Sequence, residues 1–298
     1  LVFLLLEPSN AQIWRSVKIL CCAGIVAIVQ GFLVWDGTYP QLNSVGHVNQ
    51  SALYAMFLVI GAGFLIIPAN PSVANWVLSA VTISAVILYQ GPARSLVAVA
   101  GTCFAIGGVA IIFFASRKRW LELATFSAFG SLIVVAFVLA PANDLPVYGD
   151  LKREVERRLQ SETDPYSQRD RLVNSAVEIG GSSVFGFGVS SFSKAVTLKT
   201  LQEKIEDRGG SWEEEKDRFF VSAHGHNIFG NVLVERGWFG VLVIAGCLIA
   251  SLVTQVQAGS SGNPIGFLSV LVVLMVFLTG IGQSTLHNEH GQLALLWM

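Results

Sequence analysis

The chain has 298 residues, of which 53% are hydrophobic and 13% charged, with a formal net charge of -1 and a mean hydropathy of +0.60. Soluble domains carry roughly 25% charged residues, which excludes an ordinary water-soluble globule. The near-neutral balance excludes a nucleic-acid surface, which needs an excess of Lys and Arg to engage phosphates. The class left is an all-α, polytopic integral membrane protein.

Crossing ~30 Å of hydrocarbon takes about 20 apolar residues at ~1.5 Å each. Runs of that kind lie near residues 17–35, 51–67, 73–90, 95–115, 121–140, 237–255 and 265–283, so seven complete transmembrane helices are expected. The chain opens at Leu1 inside an apolar run and closes at Met298 inside another, too short to cross, so two partial spans and a longer parent protein are expected as well. This divides the chain into N-terminal transmembrane helices over 1–141, a large loop over 142–223 and C-terminal transmembrane helices over 224–298. Cys21, Cys22, Cys103 and Cys247 all fall inside expected spans, where no disulfide framework is implied.

Charge marks the loop. Residues 142–223 hold twelve of the 19 Lys and Arg and fifteen of the 20 Asp and Glu. Arg15 with Lys18, and Arg117-Lys118-Arg119 between the fourth and fifth spans, mark the cytoplasmic side. One topology satisfies both clusters, and it sends residues 36–50, 90–94, the whole 142–223 loop and 285–291 to the outer, periplasmic face. Candidate polar groups therefore collect on one side.

Within the loop, Leu151, Val155 and Leu159 are spaced four apart in a run of helix formers, predicting a surface helix with a solvated charged face. Pro165 breaks the chain, a second helix is expected over 171–179, and Gly180-Gly181 ends it. Phe185-Gly186-Phe187-Gly188 follows; glycines two apart permit a tight turn, although a lone Gly-x-Gly outside a strand-turn-helix setting is no dinucleotide fingerprint. Residues 198–218 are helical in propensity and then acidic, an ordinary wet surface. His224-Gly225-His226-Asn227 then stands where the charged loop meets an apolar helix, placing titratable imidazoles at a membrane-water boundary.

The order of these segments resembles the O-antigen ligase and O-antigen polymerase superfamily of bacterial inner-membrane glycosyltransferases. It comprises Gly91-Pro92-Ala93-Arg94-Ser95 at a helix start, a long outer loop with Gln168-Arg169-Asp170-Arg171-Leu172, Gly186-x-Gly188-x-x-x-Phe192, His226-Asn227-x-Phe229, and Leu233-Val234-Glu235-Arg236-Gly237-x-x-Gly240. Gly46-His47-Val48-Asn49-Gln50 looks like a further shared segment. The similarity covers roughly residues 40–255. Family members are all-helical with about a dozen spans, so the chain would hold part of that pattern.

The resemblance implies transfer of a glycan from undecaprenyl diphosphate to an acceptor hydroxyl on the periplasmic side, without a cofactor or bound metal. The acceptor would be lipid A core, another glycan or a protein hydroxyl. Attack of an acceptor oxygen on an anomeric carbon expels a diphosphate, so the site must bind developing negative charge and remove a proton. Arginine's fixed fork suits phosphate oxygens, and imidazole, with an ordinary pKa of about 6.5, suits a general base. Arg94, Arg171 and His226 are the expected catalytic residues; Arg169, His224, Asn227, His47, Glu289 and His290 are expected at the substrate. Asn227 has a second reading as the cap of the helix that follows, and Glu235 with Arg236 reads as a structural pair. His287 and His290 lie three apart in Thr285-Leu286-His287-Asn288-Glu289-His290-Gly291, a weak signal for a metal. The rival classes are a protein O-oligosaccharyltransferase, a transporter or flippase of lipid-linked glycans, and a non-catalytic envelope scaffold. A transporter would show mid-span ionisable residues and broken helices.

Overall fold

A computed structural model describes residues 10–35, 48–68, 70–93, 95–141, 148–160, 168–189, 191–207, 209–211 and 227–282. Among the described residues the chain is all-α, without strands. The helices are α1 (Asn10–Leu33), α2 (Val48–Ile66), α3 (Val73–Ala93), α4 (Leu96–Ser116), α5 (Trp120–Leu139), α6 (Gly149–Gln160), α7 (Gln168–Gly180), α8 (Leu198–Glu206), α9 (Ile228–Ser260) and α10 (Pro264–Gly282), with one π turn at Ser193–Thr197.

Each of the seven apolar runs is helical, but five helices are long and apolar enough to cross a membrane: Ala11–Leu33, Val73–Ala93, Leu96–Ser116, Trp120–Leu139 and Ile228–Ser260. The protein is a multi-pass integral membrane protein. Five of the seven expected spans are thus shown; α2 and α10 are 19 residues each, with described apolar stretches Ser51–Ile66 and Ile265–Gly280. These two are the most enclosed apolar helices. Ala52, Leu53, Ala55, Met56, Leu58 and Val59 of α2, and Leu268, Leu271, Val273 and Met275 of α10, are buried. A helix apolar all round suits burial among other helices. By contrast α5 buries none of its residues.

Two compact units divide the chain: residues 1–160 with 252–275 and 293–298, and residues 161–251 with 276–292. In the first, α2 packs against α1, α3 and α4. Small residues bring the helices close: a Cβ on Gly63 would stand 2.7 Å from the Val109 side chain, and one on Gly108 would stand 2.6 Å from Leu271.

Two cations, a half-buried Arg117 and a buried Lys152, close helix ends in this unit. The Arg117 guanidinium donates to the Ile66 and Pro68 carbonyls at 3.2 and 2.9 Å and lies 3.8 Å over the Phe113 ring. The Lys152 ammonium donates to the Phe137 and Val138 carbonyls at 3.0 and 2.8 Å and also to Ala140. The last carbonyls of a helix lack partners and carry its negative dipole end, so a cation there supplies both donors and charge. Lys152 is 6% exposed, which corrects the reading of α6 as carrying a wholly solvated charged face. Leu151 is buried beside it, and Tyr148 donates its hydroxyl to the Ile87 carbonyl.

In the second unit, Leu172 and Ala176 of α7 form a small core with Phe192, Val196 of the π turn and Val234 of α9. The core exists because α7 places Leu172 and Ala176 four residues apart on one face. Lys199 of α8 reaches Glu178 of α7 at 2.9 Å, and this contact raises the lysine's pKa.

Candidate functional site

Two of the places where the sequence puts candidate chemistry are the α3–α4 corner and the start of α9. At the corner, Gln90, Gly91, Pro92 and Ala93 are buried, and Ser95, 5% exposed, precedes α4 in an extended conformation. The Gln90 amide donates to the Ala52 carbonyl at 2.9 Å, tying the end of α3 to α2. Its Oε1 is buried without a hydrogen-bond partner. Tyr89, fully buried, meets Phe32 edge-on with 6.1 Å between ring centres. Arg94 itself lies outside the described residues, between segments held on both sides.

At the start of α9, Asn227 is the cap: its Oδ1 accepts the Gly230 amide proton at 2.9 Å. This satisfies one of the donors that every helix N-terminus leaves over. Asn227, Asn231 and Glu235 recur at four-residue spacing, and Asn231 and Glu235 are 0% and 6% exposed. A buried polar row of this kind is uncommon in a membrane helix and marks this half of α9 as more than an anchor. Asn231 was not among the sequence candidates; the i, i+4 recurrence with Asn227 was its available signal. Glu235 is buried while Arg236 is exposed, so the two adjacent residues face different surroundings.

The backbone of α9 breaks at Gly237, where φ is 65° and ψ is -167°. In an unbroken helix the amides of Trp238 and Phe239 would donate to the carbonyls of Val234 and Glu235. Here the loop after α7 takes over both sides of that exchange. Trp238 and Phe239 donate to the carbonyls of Ser183 and Val184 at 3.4 and 3.0 Å, while Phe187 and Gly188 donate to the carbonyls of Val234 and Glu235 at 2.9 and 3.0 Å. Both sides meet through glycine. A Cβ on Gly186 would stand 2.4 Å from the Arg236 nitrogen, and one on Gly237 would stand 2.3 Å from the Val184 oxygen. Gly186 also has a positive φ, 72°. The Ser183 hydroxyl oxygen accepts the Gly186 amide at 2.9 Å, and the Trp238 indole donates to the Gly181 carbonyl at 3.2 Å. The Gly-x-Gly turn and Glu235-Arg236-Gly237, read separately in the sequence, are thus two halves of one joint.

Arg169 and Arg171 lie in the first turns of α7, with the backbone helical at both positions. His224, His226, His47, Glu289 and His290 lie outside the described residues, as do the remaining histidine and the expected partial spans. Of the candidate side chains, Asn227 is the one the structure describes, and it acts there as a helix cap. No known family profile and no curated protein matches the chain.

Proposed function

We propose that the protein is a lipid-linked glycan transferase of the O-antigen ligase and polymerase kind, seated in a bacterial inner membrane with its site on the periplasmic face. The observation that supports this best is the ordered set of shared segments. Two of them, Gly186-x-Gly188 and Glu235-Arg236-Gly237, interlock as one joint, nine residues after the capped start of α9 that directly follows His226. In this reading the apolar runs lie in the membrane and residues 142–223 lie outside it.

The chemistry follows from the residue types. His226 takes the proton from the acceptor hydroxyl as its oxygen bonds the anomeric carbon. The bond from that carbon to the phosphate oxygen breaks, and the diphosphate leaves on its undecaprenyl chain. Arg94 and Arg171 hold the diphosphate, where permanent charge and paired donors act on the negative charge that develops. Arg169, His224, His47, Glu289 and His290 surround the donor and acceptor, and Asn227 fixes the helix start beside His226.

The test uses the full chain in proteoliposomes with an undecaprenyl-diphosphate-linked glycan, measuring release of the free lipid diphosphate. Acceptor-dependent release that falls about 100-fold or more in both Arg94→Ala and His226→Ala supports the assignment, and the acceptor that works separates ligase, polymerase and protein transferase. A second reading, a flippase, is favoured by the break at Gly237, since broken helices line transporter sites. Movement of the intact lipid-linked glycan between leaflets, with no release for any acceptor, would establish that class instead.

A further inference from the structure

The loop joined to Gly237 has an unusual surface. Val184, Phe185, Phe187 and Val189 are 61, 73, 53 and 73% exposed, four large apolar side chains turned outward within a charged, otherwise wet segment. Soluble surfaces rarely gather such side chains without a partner. Continuity with the membrane span names the partner here. Phe185 meets Phe239 with 5.9 Å between ring centres, and Trp238, Phe239 and Leu242 are 48, 57 and 68% exposed on the first turns of the α9 span. The most apolar window of that helix is almost entirely unburied, so its outward face is a lipid face.

Much of the loop's backbone already has partners, which lowers the cost of approaching hydrocarbon. Irregular chain is tolerated at membrane depth only where its polar groups are satisfied. The Ser183 and Val184 carbonyls and the Phe187 and Gly188 amides are all bonded to the broken turn of α9. The Gly186 amide donates to the Ser183 hydroxyl, and the Gly188 carbonyl accepts the Ser191 amide at 3.2 Å. Trp238, an amphipathic ring whose indole proton is already bonded, stands at the join in the manner of an interfacial anchor.

We infer that residues 183–189 form a bilayer-inserted wedge, with Val184, Phe185, Phe187 and Val189 entering the headgroup and upper acyl region beside Trp238, Phe239 and Leu242. The wedge pins α7 and the small core around Phe192 to the lipid surface. The large charged segment is therefore held to the membrane in its middle as well as at its ends. This inference rests on the membrane character of α9 and not on the glycan-transfer reading.

The experiment uses the full chain in phosphatidylcholine vesicles containing a phospholipid with a photoactivatable diazirine in its acyl chain. After illumination, labelled peptides are mapped by mass spectrometry. Trypsin releases the loop whole as Leu172–Lys194. Labelling of that peptide within residues 183–189, comparable to labelling over residues 238–250 of α9 and well above that over 203–207, is the expected result. The double variant Phe185→Ser, Phe187→Ser should lose at least 5-fold of the loop label while keeping the label on α9. An unlabelled loop in the wild-type protein beside a labelled α9 span overturns the inference, whether the loop then faces water or a second copy of the chain. Undiminished loop labelling in the double variant overturns the assignment of these side chains.

Discussion

Substituting Gly237 by alanine tests the joint directly. With φ at 65° and ψ at -167°, Gly237 occupies a region open essentially to glycine, and a side chain there costs about 1–3 kcal/mol in backbone strain. The added Cβ would also stand 2.3 Å from the Val184 oxygen and 2.5 Å from the Gly186 nitrogen, both backbone atoms that cannot rotate away. Relief requires the loop to retreat, which releases the bonds from Trp238 to Ser183 and from Phe239 to Val184, each worth about 0.5–1.5 kcal/mol net. The combined cost to the joint is about 2–6 kcal/mol, and even 3 kcal/mol corresponds to roughly a 150-fold rise in the open population. Hydrogen-deuterium exchange of the full chain in nanodiscs reads this at the Phe187 and Gly188 amides, which lose their Val234 and Glu235 acceptors when the loop opens. Gly246→Ala on the same helix is the control, because a Cβ there meets nothing within 4 Å. Exchange at Phe187 and Gly188 within about 3-fold of wild type in Gly237→Ala would refute the account of the joint, since that spread corresponds to under ~1 kcal/mol.

Lys152→Met removes an ammonium bonded to three carbonyls at the end of α5; hydrogen bonds to charged groups contribute about 1.5–3 kcal/mol, so the thermal midpoint in detergent should fall by several degrees, with Lys152→Arg falling less. Asn227→Ala should cost about 1 kcal/mol of local stability through the lost cap, read as faster exchange at the Gly230 amide, with Asn227→Asp largely restoring it. The Tyr148 phenol, pushed up to about 12 by burial, should ionise late. The wild type minus Tyr148→Phe difference absorbance near 295 nm should show a midpoint well above the ordinary ~10. Because the folded state holds this proton more tightly than the unfolded state, Tyr148 contributes stability that is fully present below pH ~10 and is lost as pH rises through about 12. A midpoint at the ordinary value would sink that burial argument.

Composition and apolar run length were enough to read the class and the approximate position of each long helix among the described residues, because a membrane segment must satisfy its backbone internally and so writes its length into the sequence as unbroken hydrophobicity. The run at 237–255 was legible as a span, yet its helix begins at Ile228, since Asn231 and Glu235 interrupt hydropathy without interrupting helix. The caps by Arg117 and Lys152 were not legible. Each joins a side chain to carbonyls made available only by the end of another helix, and nothing in local spacing encodes which end that is.

The candidate site divides along the same line. The sequence alone located the polar boundary, the capping asparagine and the glycines, because each depends on residue type and near neighbours: Asn227 accepts a proton from a residue three positions on. Only the tertiary structure decided that Gly186 and Gly237 serve one joint, that the helix there exchanges its own hydrogen bonds for those of a loop some fifty residues earlier, and that Glu235 is buried while Arg236 is not. A backbone group that leaves a helix must find another partner, and which partner reaches it depends on packing between distant segments, a relation that no local pattern of residues contains.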